Sequence, residues 1–282
     1  MRALIRNVRR KIQLASSYAV CAWKAPRYRD VFRQVKAFML FIGYPRSGHS
    51  LVGSLIDAHS DAIIAHEANA LKALRYGFRR DQIFYYLLRN SERFAQAGRL
   101  STGYSYLVPG QWQGRFRELR VIGDKFGDFT TTALVRRPWL LERLREEVKV
   151  PVKFFHVLRS PYDNVTTIFR RSGRTPRTLP ESIEYYFSLV EGVARLKERI
   201  PAEDLIEVQL EEIVASPVEI LRRSCEFLGL VPGEDYLQAC ASIVFKSPKK
   251  THSEIEWPRE LVDLVRAQAR AFPFLAGLCE EF

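Results

Sequence analysis

Residues 41–59 read FIGYPRSGHSLVGSLIDAH: an apolar run, then Gly-Tyr-Pro-Arg-Ser-Gly, then a stretch with helical spacing. Phe38, Leu40, Phe41 and Ile42 predict a buried strand, and Pro45 and Gly48 shape the turn after it. From His49 onward, Leu51, Val52, Leu55 and Ile56 share one helical face. A strand, tight turn and helix start in that order make a phosphate cradle. The first amides of a helix point outward without intrahelical partners, and the macrodipole adds partial positive charge there. Arg46 brings a full charge, Gly48 lets the backbone approach closely, and Ser47, His49 and Ser50 bring side-chain donors. The GxxxxGK[ST] signature of nucleoside-triphosphate hydrolases requires Lys after the last glycine, where this chain has His49. An anion site is expected here, and an ATP or GTP hydrolase is not.

Apolar runs and helical segments alternate along the rest of the chain. That pattern predicts an α/β fold in one domain: a P-loop-type parallel sheet flanked by helices on both faces. Further strands are expected at 62–65, at 120–123 ending in Asp124-Lys125, at 152–158 and at 205–209. Helices are expected at 68–97, around 132–147, after Pro161, at 181–199, at 217–228 and at about 259–270. Residues 98–118, rich in Gly, Ser and Gln, read as a long irregular connection, and 244–258 as a polar, basic one. The expected division is a basic N-terminal helical segment, 1–36, before an α/β domain, 37–282.

With 282 residues, 47% hydrophobic and 27% charged, the chain can bury a sizeable core. Its 44 Lys and Arg against 32 Asp and Glu give a net charge of +12, which attracts nucleic acid, anionic lipid, acidic substrates or a multiply charged nucleotide. No nucleic-acid module is evident, so nucleic acid is not an expected partner. Cys21, Cys225, Cys240 and Cys279 have no metal spacing and are too sparse for a disulfide scaffold; reduced thiols in a cytoplasm are expected. The five histidines form no convincing ligand set, so no metal is expected. Residues 12–23, IQLASSYAVCAW, follow a basic stretch but are too short to span a bilayer. They read as a basic amphipathic helix, packed on the domain or making peripheral contact with a membrane surface.

A second anion site lies in VKFFHVLRSPYDNVTTIFR, residues 152–170. Arg159 ends a strand and Thr167 follows eight residues later on the helix opened by Pro161. If that helix folds back, charge from one and a hydroxyl from the other converge on one anion.

Together the two segments resemble the sulfotransferases that use 3′-phosphoadenosine 5′-phosphosulfate (PAPS). In that family a PxSG loop binds the 5′-phosphosulfate, here Pro45-Arg46-Ser47-Gly48. An Arg–x7–Ser pair binds the 3′-phosphate, here Arg159 with Thr167 in place of Ser. Residues 210–230, LEEIVASPVEILRRSCEFLGL, are similar to the family's stretch behind the nucleotide. The loop is most similar to the branch with Arg in place of Lys, which includes the protein-tyrosine sulfotransferases; His49 departs from it by replacing a Thr. The resemblance implies PAPS as co-substrate, no metal, and in-line transfer to a hydroxyl or amine of a carbohydrate, lipid, phenol or protein. It makes Arg46 the 5′-phosphosulfate ligand, Glu67 the catalytic base, with His66 and Asp124 as alternatives, and Lys125 a transition-state cation. In 246–252, KSPKKTH, Lys249, Lys250 and His252 are expected at the 3′-phosphate and Ser247 near the sulfuryl group. Tyr76, Phe78, Phe84, Tyr85, Tyr86, Tyr104, Tyr106 and Trp112 are expected around the acceptor, and Trp257 in the core. Two other functions fit the same residues: a P-loop kinase or other nucleotide phosphotransferase, and a non-catalytic polyanion- or membrane-binding protein.

Overall fold

The computed structural model describes residues 14–101, 103–171, 176–247, 250–279 and 282. Five parallel strands form one sheet in the order β2-β5-β1-β6-β7. They are β1 (Ala37–Ile42), β2 (Ala62–His66), β5 (Val121–Lys125), β6 (Val152–Leu158) and β7 (Leu205–Gln209). A two-residue hairpin, β3 (Leu100–Ser101) with β4 (Tyr104–Ser105), interrupts the 98–118 connection.

The central strand is buried throughout, as a strand covered on both faces must be. Successive side chains point to opposite faces, so Phe38, Leu40 and Ile42 enter one apolar cluster and Ala37, Met39 and Phe41 the other. The first cluster packs under α4 (Arg80–Gln96), α6 (Trp139–Val148) and α8 (Leu179–Lys197). The second packs under α2 (His49–Asp57), α10 (Pro217–Phe227) and α11 (Glu234–Ser242). Helices therefore cover both faces, as the alternating pattern predicts.

Residues 14–24 are helical, and a short helix α1 (Arg29–Arg33) follows. Leu14, Cys21, Phe32 and Val35 are buried in the first cluster, so this stretch is packed on the domain. No described helix is long and apolar enough to cross a membrane.

Two expected helices are each split in the structure. The stretch 68–97 is α3 (Ala70–Arg75) followed by α4, because Gly77 takes φ 85° in the turn between them. The stretch 132–147 is α5 (Gly127–Arg136) and α6, because Pro138 removes a backbone donor and pushes Arg137 out of helical geometry, at φ −141° and ψ 75°. The remaining helices are α7 (Pro161–Arg170), α9 (Leu210–Ala215) and α12 (Arg259–Ala269).

Gly123 allows β5 to lie beside β1. A Cβ there would stand 2.4 Å from the Met39 carbonyl oxygen and 2.7 Å from its Cβ, and the first of these is backbone that cannot swing away. Gly123→Ala is expected to cost ~3 kcal/mol or more of stability, read as a fall in the urea midpoint. A midpoint unchanged within error would show that the two strands separate easily, against their paired register.

Register also explains why distant segments meet. Ile42 pairs with His156 and Leu40 with Asp124, while His66 pairs with Lys125. The turn after β1, Arg159 after β6, Lys125 at the end of β5 and Glu67 after β2 are thus delivered to one edge of the sheet. The carboxyl ends of parallel strands are where α/β folds of this kind place their ligands.

Candidate active site

The turn from Gly43 to Gly48 is held in a conformation few sequences tolerate. Gly43, Arg46 and Gly48 have φ of 136°, 72° and 108°. The Gly43 amide donates to Thr131 Oγ1 at 2.8 Å, and the Thr131 hydroxyl lies within hydrogen-bonding reach of the carbonyls of Gly43 and Gly127. Asn164 Nδ2 donates to the Pro45 carbonyl at 2.6 Å from the helix on the other side. Gly48 opens α2, which places its first amides at the mouth of a cleft of about 510 Å³. That volume suits a small-molecule ligand.

The loop's side chains divide between cleft and interior. Arg46 and Ser50 line the cleft. Burial and the charge of Arg171 lower the Arg46 pKa, while Glu67 opposes them. Ser47 is fully buried and its hydroxyl donates to the Tyr44 carbonyl at 3.1 Å, so only its backbone remains for a ligand. His49 reaches the cleft wall, yet its ring lies beneath the turn, edge-on to Phe41 and with Nε2 3.2 Å from Ser47 Oγ. A Cβ at Gly127 would stand 2.3 Å from His49 Cε1, so the ring fills the space under the turn.

Burial, helped by the charge of Lys125 and by His156, pushes the His49 pKa down to about 3. The ring is therefore neutral in the folded protein and adds no charge to the cradle, contrary to a role as cationic ligand. Unfolded, the same imidazole takes up a proton near pH 6.5. The folded state binds fewer protons below that pH, so stability is lost as pH falls from about 6.5 towards 3. By pH 5 the loss from this ring alone is about 2 kcal/mol. His49→Gln is expected to flatten the urea-midpoint profile between pH 6.5 and 5 relative to the native chain; parallel profiles would mean that the ring is protonated when folded.

The second anion segment meets the first. Arg159 is buried, and its Nη1 donates to the Arg46 carbonyl at 3.2 Å and to Thr167 Oγ1 at 3.4 Å. Its Nη2 donates to Thr251 Oγ1 at 3.2 Å, and the Asp163 carboxylate lies 3.8 Å away. Burial lowers the Arg159 pKa, and Asp163 partly restores it. Arg159, Thr167 and Thr251 all line the cleft. Thr251, which the sequence reading did not single out, joins the pair because a 3-10 turn at Thr251–Glu254 packs on α7. Arg170 and Arg171 add charge to the same wall, with Arg170 paired to Glu254.

Of residues 246–252, only Thr251 among the described ones lines the cleft. Lys249 lies outside the described residues. Lys250 is exposed, caps the turn and does not line the cleft. His252 does not line the cleft; its amide donates to Asp163 Oδ1 at 2.8 Å and its Nδ1 lies 2.9 Å from the same oxygen. Ser247 is exposed and outside the cleft lining. Trp257 packs in the apolar cluster around α7 and donates to Thr166 Oγ1 at 3.1 Å.

Across the cleft, Lys125 Nζ donates to Glu67 Oε1 at 2.8 Å. Burial lowers the Lys125 pKa and Glu67 raises it again. Glu67 stands just past β2 at φ 54°, a left-handed conformation that turns its carboxylate out of the strand and towards the cleft. Its two rivals face elsewhere. His66 stacks on Phe94 with ring centroids 4.0 Å apart. Asp124 is buried and accepts the amides of Ala68 and Ala70 at 3.0 and 2.8 Å, tying down the entry to α3. Burial raises the Asp124 pKa to about 6 despite those amides.

Of the expected acceptor aromatics, Tyr104 and Tyr106 line this cleft, and Tyr76 and Tyr86 line a neighbouring cavity. Phe78, Phe84 and Tyr85 are buried in the core instead, on the inward face of α4 and its approach. Trp112 lies elsewhere, its amide bonded to the Ala58 carbonyl. Phe126, Asp128 and Phe129 of the stretch after β5 complete the cleft and were not singled out from sequence. The described residues contain no group of three or more His, Cys, Asp or Glu that could hold a metal ion.

No protein-family model matches the chain, and no curated protein matches it. Solved structures do. The sulfotransferase domain from the curacin biosynthetic pathway is 13% identical, with TM-score 0.53, over 84% of this chain and 98% of that one. Sulfotransferase STF9 from Mycobacterium avium is 12% identical, with TM-score 0.51, over 93% of this chain and 84% of that one. Sulfotransferase STF1 from Mycobacterium tuberculosis is 11% identical, with TM-score 0.51, over 89% and 80% of the two chains. The parallel sheet and its helical layers thus have the fold found in these sulfotransferases.

Proposed function

We propose that the protein is a sulfotransferase, moving a sulfuryl group from PAPS to a hydroxyl or amine acceptor. One observation carries this reading. Arg159 bonds both the Arg46 carbonyl and the Thr167 hydroxyl, so two anion grips share one cleft. A ligand with phosphates at both ends of a nucleoside satisfies both, and the residues present fit it: buried guanidinium, two hydroxyls, and a helix start.

PAPS supplies an activated sulfuryl group whose departure leaves a phosphate. Glu67 takes the proton of the acceptor as its oxygen or nitrogen bonds sulfur and the bridging S–O bond breaks. Arg46, Lys125 and the first amides of α2 meet the negative charge that collects on the bridging oxygen. Lys125, buried and bonded to Glu67, and the amides at the helix start are held in place by the fold, as charge stabilisation of such a transfer requires. Peripheral membrane contact fits the N-terminal stretch: Trp23 is 63% exposed, with Lys24 and Arg27 over its ring.

The test is a calorimetric titration. 3′-Phosphoadenosine 5′-phosphate (PAP) is expected to bind more tightly than ATP by roughly tenfold or more. ATP binding of equal strength, with magnesium-dependent turnover, would assign the cleft to a kinase.

A further inference from the structure

A second cavity, about 680 Å³, adjoins the first, and Glu67, Phe126 and Phe129 belong to the walls of both. Four of the thirteen other residues of its wall are cationic and none of them is acidic. Lys72 and Arg75 face it from α3, and Arg136 and Arg137 from the end of α5. Among the described residues none of these four cations has an acidic partner, whereas Arg79 and Arg199 nearby in sequence or space pair with Glu147 and Glu142. The one acid of the cavity, Glu67, is already bonded to Lys125. A concave wall with one sign of charge concentrates counter-ions of the other sign.

We propose that this cavity receives the acceptor, and that the acceptor is an acidic saccharide whose carboxylate or sulfate is held by Lys72, Arg75, Arg136 and Arg137. The inference rests on the sulfuryl-transfer reading. With the donor in the first cleft, an acceptor hydroxyl entering from the second arrives at Glu67 from the opposite side. The acceptor oxygen–sulfur bond forms as the bridging S–O bond breaks; the proton passes to Glu67 and the electron pair to the leaving phosphate. Guanidinium groups match the planar oxygens of a carboxylate or sulfate. Tyr76 and Phe129, 46% and 54% exposed on the same wall, have Lys72 over one ring and Phe126 packed on the other, and their exposed parts offer apolar surface for the C–H face of a sugar ring. A lipid tail would need a continuous apolar groove, which the four cations interrupt.

The experiment measures fluorescence anisotropy of an end-labelled chondroitin hexasaccharide, and of its carboxyl-reduced counterpart, in saturating PAP so that the donor grips are filled. The acidic saccharide is expected to bind at least tenfold more tightly than the reduced one. The double variant Lys72→Ala, Arg137→Ala is expected to weaken the acidic saccharide at least tenfold while the PAP titration stays as it was. A control with the same change in net charge, Arg195→Ala with Arg222→Ala, separates this wall from the general positive field and is expected to bind like the native chain. Equal affinity for the two saccharides, or equal behaviour of the two double variants, overturns the inference. So does binding of anionic phospholipid vesicles through Lys72 and Arg137 without binding of the hexasaccharide, which would give the wall to a membrane. A chain that fails to titrate PAP overturns the donor reading and with it the acceptor role, whereas saccharide binding lost in the Lys72, Arg137 variant still identifies the wall as a saccharide site.

Discussion

Glu67→Gln is expected to lower turnover by roughly 10²- to 10⁴-fold, the usual worth of a positioned general base, and to leave the PAP titration unchanged. Glutamine keeps the size of the side chain and can still accept from Lys125 Nζ, 2.8 Å away in the native chain. What it loses is the ability to hold a proton. The carboxylate bonds Lys125 rather than Arg159, Thr167 or Thr251, so the grip assigned to the 3′-phosphate keeps its contacts. Measurement of both quantities on the same preparation decides the matter. Turnover near the native rate would remove Glu67 from the base role. His66 and Asp124 could not inherit it without rearrangement, since one is stacked on Phe94 and the other is tied to the amides of Ala68 and Ala70.

Arg159→Ala is expected to weaken PAP by roughly 10²- to 10³-fold, the scale of ~3–4 kcal/mol for losing one side of a buried charge pair. The hydrogen bonds to the Arg46 carbonyl and to the Thr167 and Thr251 hydroxyls go together, along with the ion pair to Asp163. Arg159→Lys restores a point charge but not the fork, and is expected to recover only part of the affinity. Thermal melting separates a binding defect from a folding defect. A folded Arg159→Ala chain that titrates PAP like the native one would break the link between the two segments, and with it the proposed donor.

The sheet was legible because its strands are short apolar runs bounded by turn residues, and all five lie where 38–42, 62–65, 120–123, 152–158 and 205–209 place them. Helix boundaries were less so. Gly77 and Pro138 interrupt patterns whose apolar spacing continues across the break, and periodicity alone does not register the break. At the site, local motifs point to Arg46, Arg159 and Thr167, the family resemblance adds Glu67 and Lys125, and all five line one cleft. Thr251 and Thr131 escaped because their contacts reach 84 and 88 residues away, and nothing local marks either hydroxyl. Ser47 and His49 stand at positions in the turn where a ligand is expected. Their side chains fold inward, because a turn with three positive-φ residues needs something beneath it. The aromatic stretch misled for a related reason: helix α4 uses its rings to fill the core, and composition does not distinguish a ring that packs from one that lines a pocket.

The hydrogen bond from Arg159 to the Arg46 carbonyl bears on what happens after the reaction is over. In the proposed transfer the nucleotide keeps both of its phosphates, so the spent co-substrate is clasped nearly as firmly as the fresh one. Departure of the by-product is then the expected slow event of each cycle, and a first rapid round followed by a slower steady state is the kinetic trace that would show it.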